Sequence, residues 1–298
     1  MKKRAVLLFA FILLFMSFNV SAYQADINLE SKFGDLIITD TISGTNLKEE
    51  STLPLNTIML KANFNQYIFK EWADFYSVTL GSNFINTSTE DTKLINYTQN
   101  INNKNTRLKG ETNLDSLYFD FLLANYLLDY STPKQSFLIL IGFEYDSYSY
   151  ETENGSSYDY ATDTQTNINN KILSQKVKNH IPYLGIIFNK NFTNNIKNRF
   201  VIKFSPYTYT NISSNNYYDD YTIDSTNSGT LLSVKDNVRY SINKDMYLTG
   251  GAQYKLLTGD GSGTRYYYSG PSEGTSINLD SELELEEYSL NIGIQYLF

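Results

Sequence analysis

Residues that could carry out acid–base chemistry are few in this chain. The candidates are Glu90-Asp91 and Asp219-Asp220, two pairs of neighbouring carboxylates in the long connections between segments of regular alternation, and His180, the one histidine. Carboxylates and an imidazole can activate a water molecule when they face one another. Adjacent residues of an extended chain point in opposite directions, so Glu90 and Asp91 do not form a facing pair.

The remaining candidates also have structural readings. Asp219-Asp220 is predicted to be the solvated acidic tip of a loop, with a catalytic role as the alternative. His180 shares the parity of the apolar side chains of its segment, such as Leu184 and Ile186, and is predicted to be a rim residue. The catalytic residues therefore stay unassigned, and the candidates are Asp219, Asp220, Glu90 and Asp91.

Neither a metal ion nor a cofactor is expected. The chain has no cysteine, which excludes disulfides and thiolate metal sites. Asp260-Gly261-Ser262-Gly263 has the look of a calcium or phosphate loop, but it lacks the further spaced oxygens of a calcium site and a following helix for phosphate. This stretch is predicted to be a turn of a hairpin loop.

Residues 1–22 are predicted to be a secretory signal. Lys2, Lys3 and Arg4 precede an apolar run, and small residues end the segment before Tyr23. Its removal leaves 21 basic against 32 acidic residues and changes the formal charge from −8 to −11. So acidic a chain argues against nucleic acid as a partner.

The last eleven residues, 288–298, alternate almost strictly. Tyr, Leu, Ile, Ile, Tyr and Phe occupy the even positions, whereas most odd positions are small or polar. A strand that crosses a bilayer needs about 9–11 residues with apolar side chains toward lipid. A terminal aromatic residue such as Phe298 is typical of the closing strand of outer-membrane barrels. The barrel-assembly machinery recognises this C-terminal signal. An edge strand of a soluble sandwich is the alternative.

Nine further segments alternate in the same way, and they must position any functional site. With the last one, the ten segments lie near 26–37, 57–69, 73–84, 116–129, 136–150, 176–191, 199–210, 230–241, 246–257 and 288–298. Asp236 is the exception, because its parity places it on the lipid side.

The connections between these segments alternate between short and long. The short ones lie at 70–72, 131–135, 192–198 and 243–245, and the long ones at 40–55, 85–114, 151–175, 211–229 and 258–280. An up-and-down barrel with both termini in the periplasm requires this alternation. The prediction is an all-β transmembrane antiparallel barrel of ten strands over residues 23–298, with five long extracellular loops.

Two groups of side chains describe the predicted barrel further. Tyrosines crowd the long connections at Tyr158, Tyr160, Tyr217-Tyr218 and Tyr266-Tyr267-Tyr268. They predict either a contact surface or an aromatic girdle. The inward-facing charged residues predict a narrow lumen that ion pairs close. They are Lys61, Lys203, Lys235, Arg239 and Lys255, with Glu30, Asp120, Glu144 and Asp146.

Several short motifs resemble the omptins, a family of ten-stranded outer-membrane endopeptidases, from about residue 56 to the end. Residues 58–84 resemble the second hairpin of that family, with Trp72 close to its turn. Residues 142–150 resemble its fifth strand, Gly155-Ser156-Ser157-Tyr158 resembles the following loop, and Pro182-Tyr183-Leu184-Gly185 resembles the sixth strand.

The resemblance implies a peptidase of aspartic type that cuts between basic residues, with an aspartate pair facing an aspartate–histidine couple across a bound water. In this chain the position of that couple's aspartate is matched by Asn216, and that of its histidine by Tyr218. Asn216 cannot ionise, and a tyrosine with a pKa of about 10 is a poor base at neutral pH. The second loop offers Glu90-Asp91 in place of two aspartates one residue apart.

Three functions follow from these observations. The first is an omptin-like surface protein that has lost the protease couple and binds an extracellular protein or peptide ligand, as in adhesion, through its loops. The second is a divergent omptin-type endopeptidase, and the third is a small channel, which the narrow, charged interior disfavours. Each would lie in the bacterial outer membrane, surrounded by its lipid, including lipopolysaccharide.

Overall fold

Twelve antiparallel strands form one sheet within the residues that the computed structural model describes, which are 23–44, 47–66, 74–86, 93–98, 105–127, 134–159 and 162–297. The strands are β1 (Tyr23–Ile42), β2 (Leu47–Pro54), β3 (Thr57–Gln66), β4 (Phe75–Asn86), β5 (Lys93–Thr98), β6 (Asn105–Tyr126), β7 (Gln135–Asp159), β8 (Thr164–Asn191), β9 (Ile196–Asn216), β10 (Tyr221–Ser241), β11 (Met246–Tyr267) and β12 (Ser276–Leu297). The predicted signal sequence, Trp72, Glu90, Asp91, Tyr160 and Phe298 lie outside these residues.

The sheet closes into a ring of ten strands. β1 pairs with β12 from Gln24 opposite Leu297 up to Ile42 opposite Leu279. β1 also pairs with β3 in its first half and with β2 in its second half, so β2 and β3 follow one path with a break between them. β4 and β5 share the flank of β6 in the same manner. The predicted ten-stranded antiparallel barrel is therefore confirmed, with two of its strands interrupted.

The apolar side chains of β12 face outward in one half of the strand and inward in the other half. Near the chain end Leu290, Ile292 and Ile294 are exposed on the outer face, as the alternation predicts. Further up, the apolar side chains have the opposite parity, and Leu283 and Leu285 are buried inside the barrel. The outer wall meets lipid in the first part and water in the second, so burial of apolar surface moves to the interior.

The strands extend further than the sequence predicts. β7 continues to Asp159 and β8 begins at Thr164, although 151–175 is predicted to be a loop. Only 217–220 separates β9 from β10, and 268–275 separates β11 from β12. Above the lipid-facing band the outer residues are polar, so the parity of the lower half no longer identifies a strand. The connections at the opposite end, such as 192–195 and 242–245, are short, as predicted.

Two irregularities of the sheet involve residues that the sequence marks as unusual. The register between β8 and β9 shifts between His180 and Leu184, and both Pro182 and Pro206 lie in or beside this bulge, where no ladder hydrogen bond is needed. Asp236 faces outward, as its parity predicts, and accepts a hydrogen bond from Asn198 at 2.5 Å.

Buried side chains fill the interior of the barrel at several levels. An apolar cluster near the short connections includes Phe75, Leu138 and Ile187. A larger apolar cluster lies in the upper half and includes Leu36, Tyr150 and Leu285. The sequence predicts a polar lumen, but the interior of the upper half is apolar. The outer wall meets water there, so the apolar side chains are buried inside the barrel.

A network of buried ion pairs lies between the two apolar clusters. The Lys203 ammonium is 2.8 Å from Asp120 and 3.0 Å from Glu144, and the Lys255 ammonium is 2.6 Å from Glu144 and also pairs with Asp146. Two further pairs are Lys61–Glu30 at 2.6 Å and Lys32–Glu287 at 2.9 Å. The pairs of Lys61, Lys203 and Lys255 are those that the inward-facing charges predict, and they lie across the lumen. Lys235 and Arg239 belong to the predicted set but form no ion pair within the described residues, and the Lys32–Glu287 pair lies outside that set.

Candidate functional site

The turn between β9 and β10, at the upper end of the barrel, is held by one buried amide. The Asn216 Oδ1 atom accepts hydrogen bonds from the backbone N–H groups of Tyr218 and Asp219, both at 3.0 Å. Asparagine folds back on the next residues in this way because its short side chain reaches the backbone of the turn. Asn216 is the residue that the resemblance matches to the aspartate of the family's couple, and in this structure it caps a turn.

The same amide belongs to a buried hydrogen-bond network formed by Glu49, Asn216, Tyr221 and Arg265, which we call the rim network. The Asn216 Nδ2 atom donates to the Tyr221 hydroxyl at 2.7 Å, and that hydroxyl donates to the Glu49 carboxylate at 2.5 Å. The Arg265 guanidinium donates to the same carboxylate oxygen at 2.5 Å. The network joins β2, β9, β10 and β11 across the barrel.

The rim network keeps Tyr221 and Arg265 in their ordinary charge states. Burial raises the pKa of Tyr221, and the Glu49 carboxylate raises it further, so Tyr221 remains a phenol. Burial lowers the pKa of Arg265, but the attraction of Glu49 outweighs it and leaves that pKa raised, so Arg265 remains charged. The guanidinium carbon also lies 4.2 Å from the centre of the Tyr221 ring. The network is suited to hold the rim in shape rather than to move protons at neutral pH.

Asp219 and Asp220 lie in one turn, but they have different partners. The Asp219 carboxylate is 3.4 Å from the Asn216 amide nitrogen. The Asp220 carboxylate accepts a hydrogen bond from the Ser269 hydroxyl, and its backbone has a positive φ of 56°. The other two candidates, Glu90 and Asp91, lie outside the described residues, so the structure brings only two of the four together.

His180 lies on the outer wall, away from the rim network. Its ring packs among three aromatic rings, with centroids 6.2 Å from Phe143, 5.1 Å from Tyr145 and 6.1 Å from Tyr209. His180 is opposite Tyr209 in the β8–β9 ladder, and Tyr209 lies seven residues before Asn216 along β9. The outward parity assigned from the sequence agrees with this placement.

Exposed tyrosines surround the β9–β10 turn. Tyr217, Tyr218 and Tyr268, which we call the rim tyrosines, are 37–42% exposed. The Tyr268 hydroxyl donates to the Asn216 carbonyl at 3.2 Å, and the Tyr218 hydroxyl donates to the Ser157 hydroxyl at 3.1 Å. They lie beyond the lipid-facing band, which favours the predicted contact surface over an aromatic girdle.

Sequence reasoning missed three of the four members of the rim network. Glu49 and Tyr221 are 172 residues apart, and Glu49 and Arg265 are 216 apart. Parity would have placed Tyr221 and Arg265 inside the barrel, but only the register of the strands brings them to one carboxylate. A signal was present in β12, where the alternation of glutamate and leucine over 282–285 continues the strand upward with its apolar face reversed.

Asp40 is a second buried carboxylate of the upper barrel, and it is paired with Glu49 in the β1–β2 ladder. Burial raises its pKa from 3.8 to about 6, and the charge of Glu49 adds to this, against a hydrogen bond with Ser281 and the attraction of Arg265. Its Oδ1 atom has no hydrogen-bond partner among the described residues. Ionised Asp40 is thus unfavourable in the folded state.

The raised pKa of Asp40 predicts a pH dependence of stability. Because the folded-state pKa lies above the unfolded value, the folded chain loses stability as the pH rises from about 4 through about 6. We expect Asp40→Asn to increase the free energy of unfolding at pH 7.5 by up to about 3 kcal/mol, and to leave it nearly unchanged at pH 4. Urea unfolding of both proteins from pH 4 to 8 measures this, and a pH-independent difference would contradict it.

Within the described part of the chain, no group of three or more histidine, aspartate or glutamate side chains is arranged to hold a metal ion. The same part of the chain contains no helix long and apolar enough to span a membrane.

One family model and several solved structures are similar to this chain. The model of the Omptin family matches residues 96–298. The outer membrane protease OmpT from Escherichia coli aligns with a TM-score of 0.75 at 15% identity, over 95% of this chain and 98% of that one. The outer membrane protein OprG from Pseudomonas aeruginosa aligns with a TM-score of 0.45 at 11% identity, over 94% and 96%. The comparison with curated proteins finds no significant match.

Proposed function

The chain belongs to the omptin family of bacterial outer-membrane barrels, and on that premise we propose that it binds extracellular polypeptide at its upper rim and does not cleave it. The proposal has two parts, the absence of a proteolytic couple and the presence of a binding surface. Each part has its own support and its own experiment.

The use of Asn216 as a turn cap carries the first part. Its amide is engaged with Tyr218, Asp219 and Tyr221, so this position supplies no carboxylate that could orient a base. The Tyr218 hydroxyl donates a hydrogen bond to Ser157, and His180 lies on the outer face of the barrel wall. General-base catalysis needs a group with a pKa near the working pH within hydrogen-bond reach of the reacting water. Among the described residues, the side chains that hydrogen-bond to Asn216 are those of Asp219, Tyr221 and Tyr268, and none of them is a histidine.

The rim tyrosines and the charge of the chain support the second part. Tyrosine supplies a large, rigid contact area at low cost in conformational entropy. The rim tyrosines lie beside the Asp219 and Asp220 carboxylates in a chain with a net charge of −8. Aromatic faces and carboxylates together favour a cationic polypeptide. The family's preference for basic residues agrees with this class of ligand.

A cleavage assay tests the first part. The protein, refolded in detergent with lipopolysaccharide, is expected to leave a fluorogenic peptide with a central Arg-Arg bond intact, with the same peptide carrying Gln-Gln as the control. Turnover that disappears in Asp219→Ala or Asp220→Ala would overturn this part and establish the alternative, a divergent omptin-type endopeptidase.

A binding assay tests the second part. We expect the triple variant Tyr217→Ser, Tyr218→Ser, Tyr268→Ser to bind a Lys- and Arg-rich peptide at least about tenfold more weakly than the wild type. Tyrosines that become buried when a partner binds contribute much of the binding free energy. Fluorescence anisotropy measures the dissociation constants. Tyr207→Ser is the matched control, since Tyr207 is 57% exposed but lies on the outer wall. Equal weakening by both changes would show that the rim does not form the binding surface.

A further inference from the structure

A cavity at the periplasmic end of the barrel is lined by basic side chains. It has a volume of about 250 Å³ and lies inside the lumen, at the end with the short connections. Its charged lining residues are Lys134, Lys197, Arg199 and Arg239, and no described residue that lines it is acidic. In a chain whose net charge is −8, four cations around one cavity form a local field of opposite sign.

The β9–β10 ladder holds these cations close together. Lys197 is directly opposite Arg239, and Arg199 follows two positions later on the same inward face. Like charges directly opposite each other destabilise an antiparallel pair. The Lys197 ammonium lies 5.4 Å from the centre of the Tyr247 ring and the Arg199 guanidinium 5.0 Å from that of Phe75. The aromatic contact of Lys197 positions its ammonium without neutralising it.

Lysines higher in the lumen differ from these cations, because they form ion pairs. Lys32, Lys61 and Lys203 each have a carboxylate oxygen within 3.0 Å. Within the described ranges, Lys197 and Arg239 form no ion pair. Lys32, Lys61 and Lys203 are thus paired with carboxylates, whereas Lys197 and Arg239 in the layer below are not.

Two carboxylates near the cavity do not change this balance. Asp26 interacts electrostatically with Arg199, Arg239 and Lys235, so one negative charge faces three positive ones. Asp74, whose carboxylate accepts a hydrogen bond from the backbone N–H of Tyr126 at 2.8 Å, adds a second negative charge, so two carboxylates stand against the four cations of the lining. The cavity remains positive.

We propose that this cavity binds a phosphate group, either free or as a small phosphate ester. Arginine and lysine bind phosphate oxygens through charge-assisted hydrogen bonds, and arginine can do so with two parallel bonds. Further polar groups of the lining that can contact a ligand are the amides and hydroxyl of Gln24, Gln135, Ser136, Asn189 and Asn191. The volume holds a phosphate with a small substituent rather than a larger ligand. The site lies at the opposite end from the rim tyrosines and does not depend on the proposed function.

Thermal unfolding in an uncharged detergent tests the site. Sodium phosphate is added while sodium chloride keeps the ionic strength constant, and a saturable increase in Tm is expected for the wild type. Arg239→Gln and Lys197→Gln are each expected to weaken the apparent affinity about tenfold or more, since each removes a charge-assisted bond. Lys176→Gln makes the same charge change at an exposed residue of the upper half of β8, and as the control it should respond like the wild type.

Two further measurements make the outcome unambiguous. Without phosphate, Arg239→Gln should unfold at the Tm of the wild type or above it, because the change removes the repulsion between Arg239 and Lys197. Nanodiscs with phosphatidylglycerol in place of phosphatidylcholine distinguish a lipid phosphate from a soluble one: an Arg239-dependent Tm increase from the lipid alone identifies the headgroup as the ligand. The proposal is overturned if neither phosphate source raises Tm beyond chloride, or if Arg239→Gln responds as the wild type does.

Discussion

Replacing Lys255 with methionine is expected to lower the free energy of unfolding by about 3–5 kcal/mol, because removal of one partner leaves buried charge uncompensated. The Lys255 side chain is 1% exposed and pairs with both Glu144 and Asp146. Without its ammonium, Glu144 retains Lys203, but Asp146 has no other ion pair among the described residues. Urea unfolding and the shift of the folded band in a heat-modifiability gel measure the loss.

Two variants separate this effect from a general loss of packing. Asp146→Asn added to Lys255→Met should recover part of the stability, since it removes the carboxylate left unpaired. Lys171→Met removes an exposed pair with Glu151 and should have little effect, because solvent screens exposed charges. If Lys255→Met unfolded like Lys171→Met, the interior charges would be solvated, and the lumen would be open to water rather than blocked.

The lower half of the barrel could be predicted from the sequence because lipid imposes a local rule. A strand between lipid and a polar lumen must alternate with a period of two, and the rule acts on each residue without reference to distant ones. Leu290, Ile292 and Ile294 are exposed for this reason, and Gln295 is buried. The same rule predicts the ten segments and the inward charges.

The upper half was harder to predict because the rule changes sign along the strand. Outside the membrane the inner face becomes the dry one, so Leu283 and Leu285 are inward while Glu282 and Glu284 are outward. A search for apolar side chains at the outward positions, which works in the lower half, therefore does not detect the strand beyond this point. The hydrogen bonds of the ladder continue regardless, since the backbone makes them and the side chains do not.

The candidate site depends on register, which parity cannot supply. The sequence places Asp219 and Asp220 together because they are neighbours, and it places His180 on the outer face by its parity. It could not place Glu49 against Tyr221 and Arg265, because a shift of two residues in any intervening strand preserves every parity and moves the contact. The rim network is therefore a result of the fold as a whole.

Gly34 stands at the seam that closes the barrel. It lies in β1 where the partner strand changes from β3 to β2, and its carbonyl accepts the backbone N–H of Leu55 at 2.9 Å in the break between those strands. On its other side it is paired with Glu287 of β12. Its φ of +139° is a conformation that side chains rarely adopt, and an added Cβ would overlap the carbonyl oxygen of Glu286.

Gly34→Ala is therefore expected to destabilise the folded barrel by about 3 kcal/mol or more, because backbone strain and a clash with rigid backbone act together at the seam. Two glycines separate the causes. Gly44→Ala has a φ of +77° with open space around it, so it should cost only about 1–2 kcal/mol of backbone strain. Gly250→Ala has its nearest neighbour at 3.7 Å and no unusual φ, so the unfolding midpoint in urea should hardly change. If Gly34→Ala resembled Gly250→Ala, β1 and β12 could separate slightly without loss, and closure of the ring would depend on the other nine ladders more than on this one.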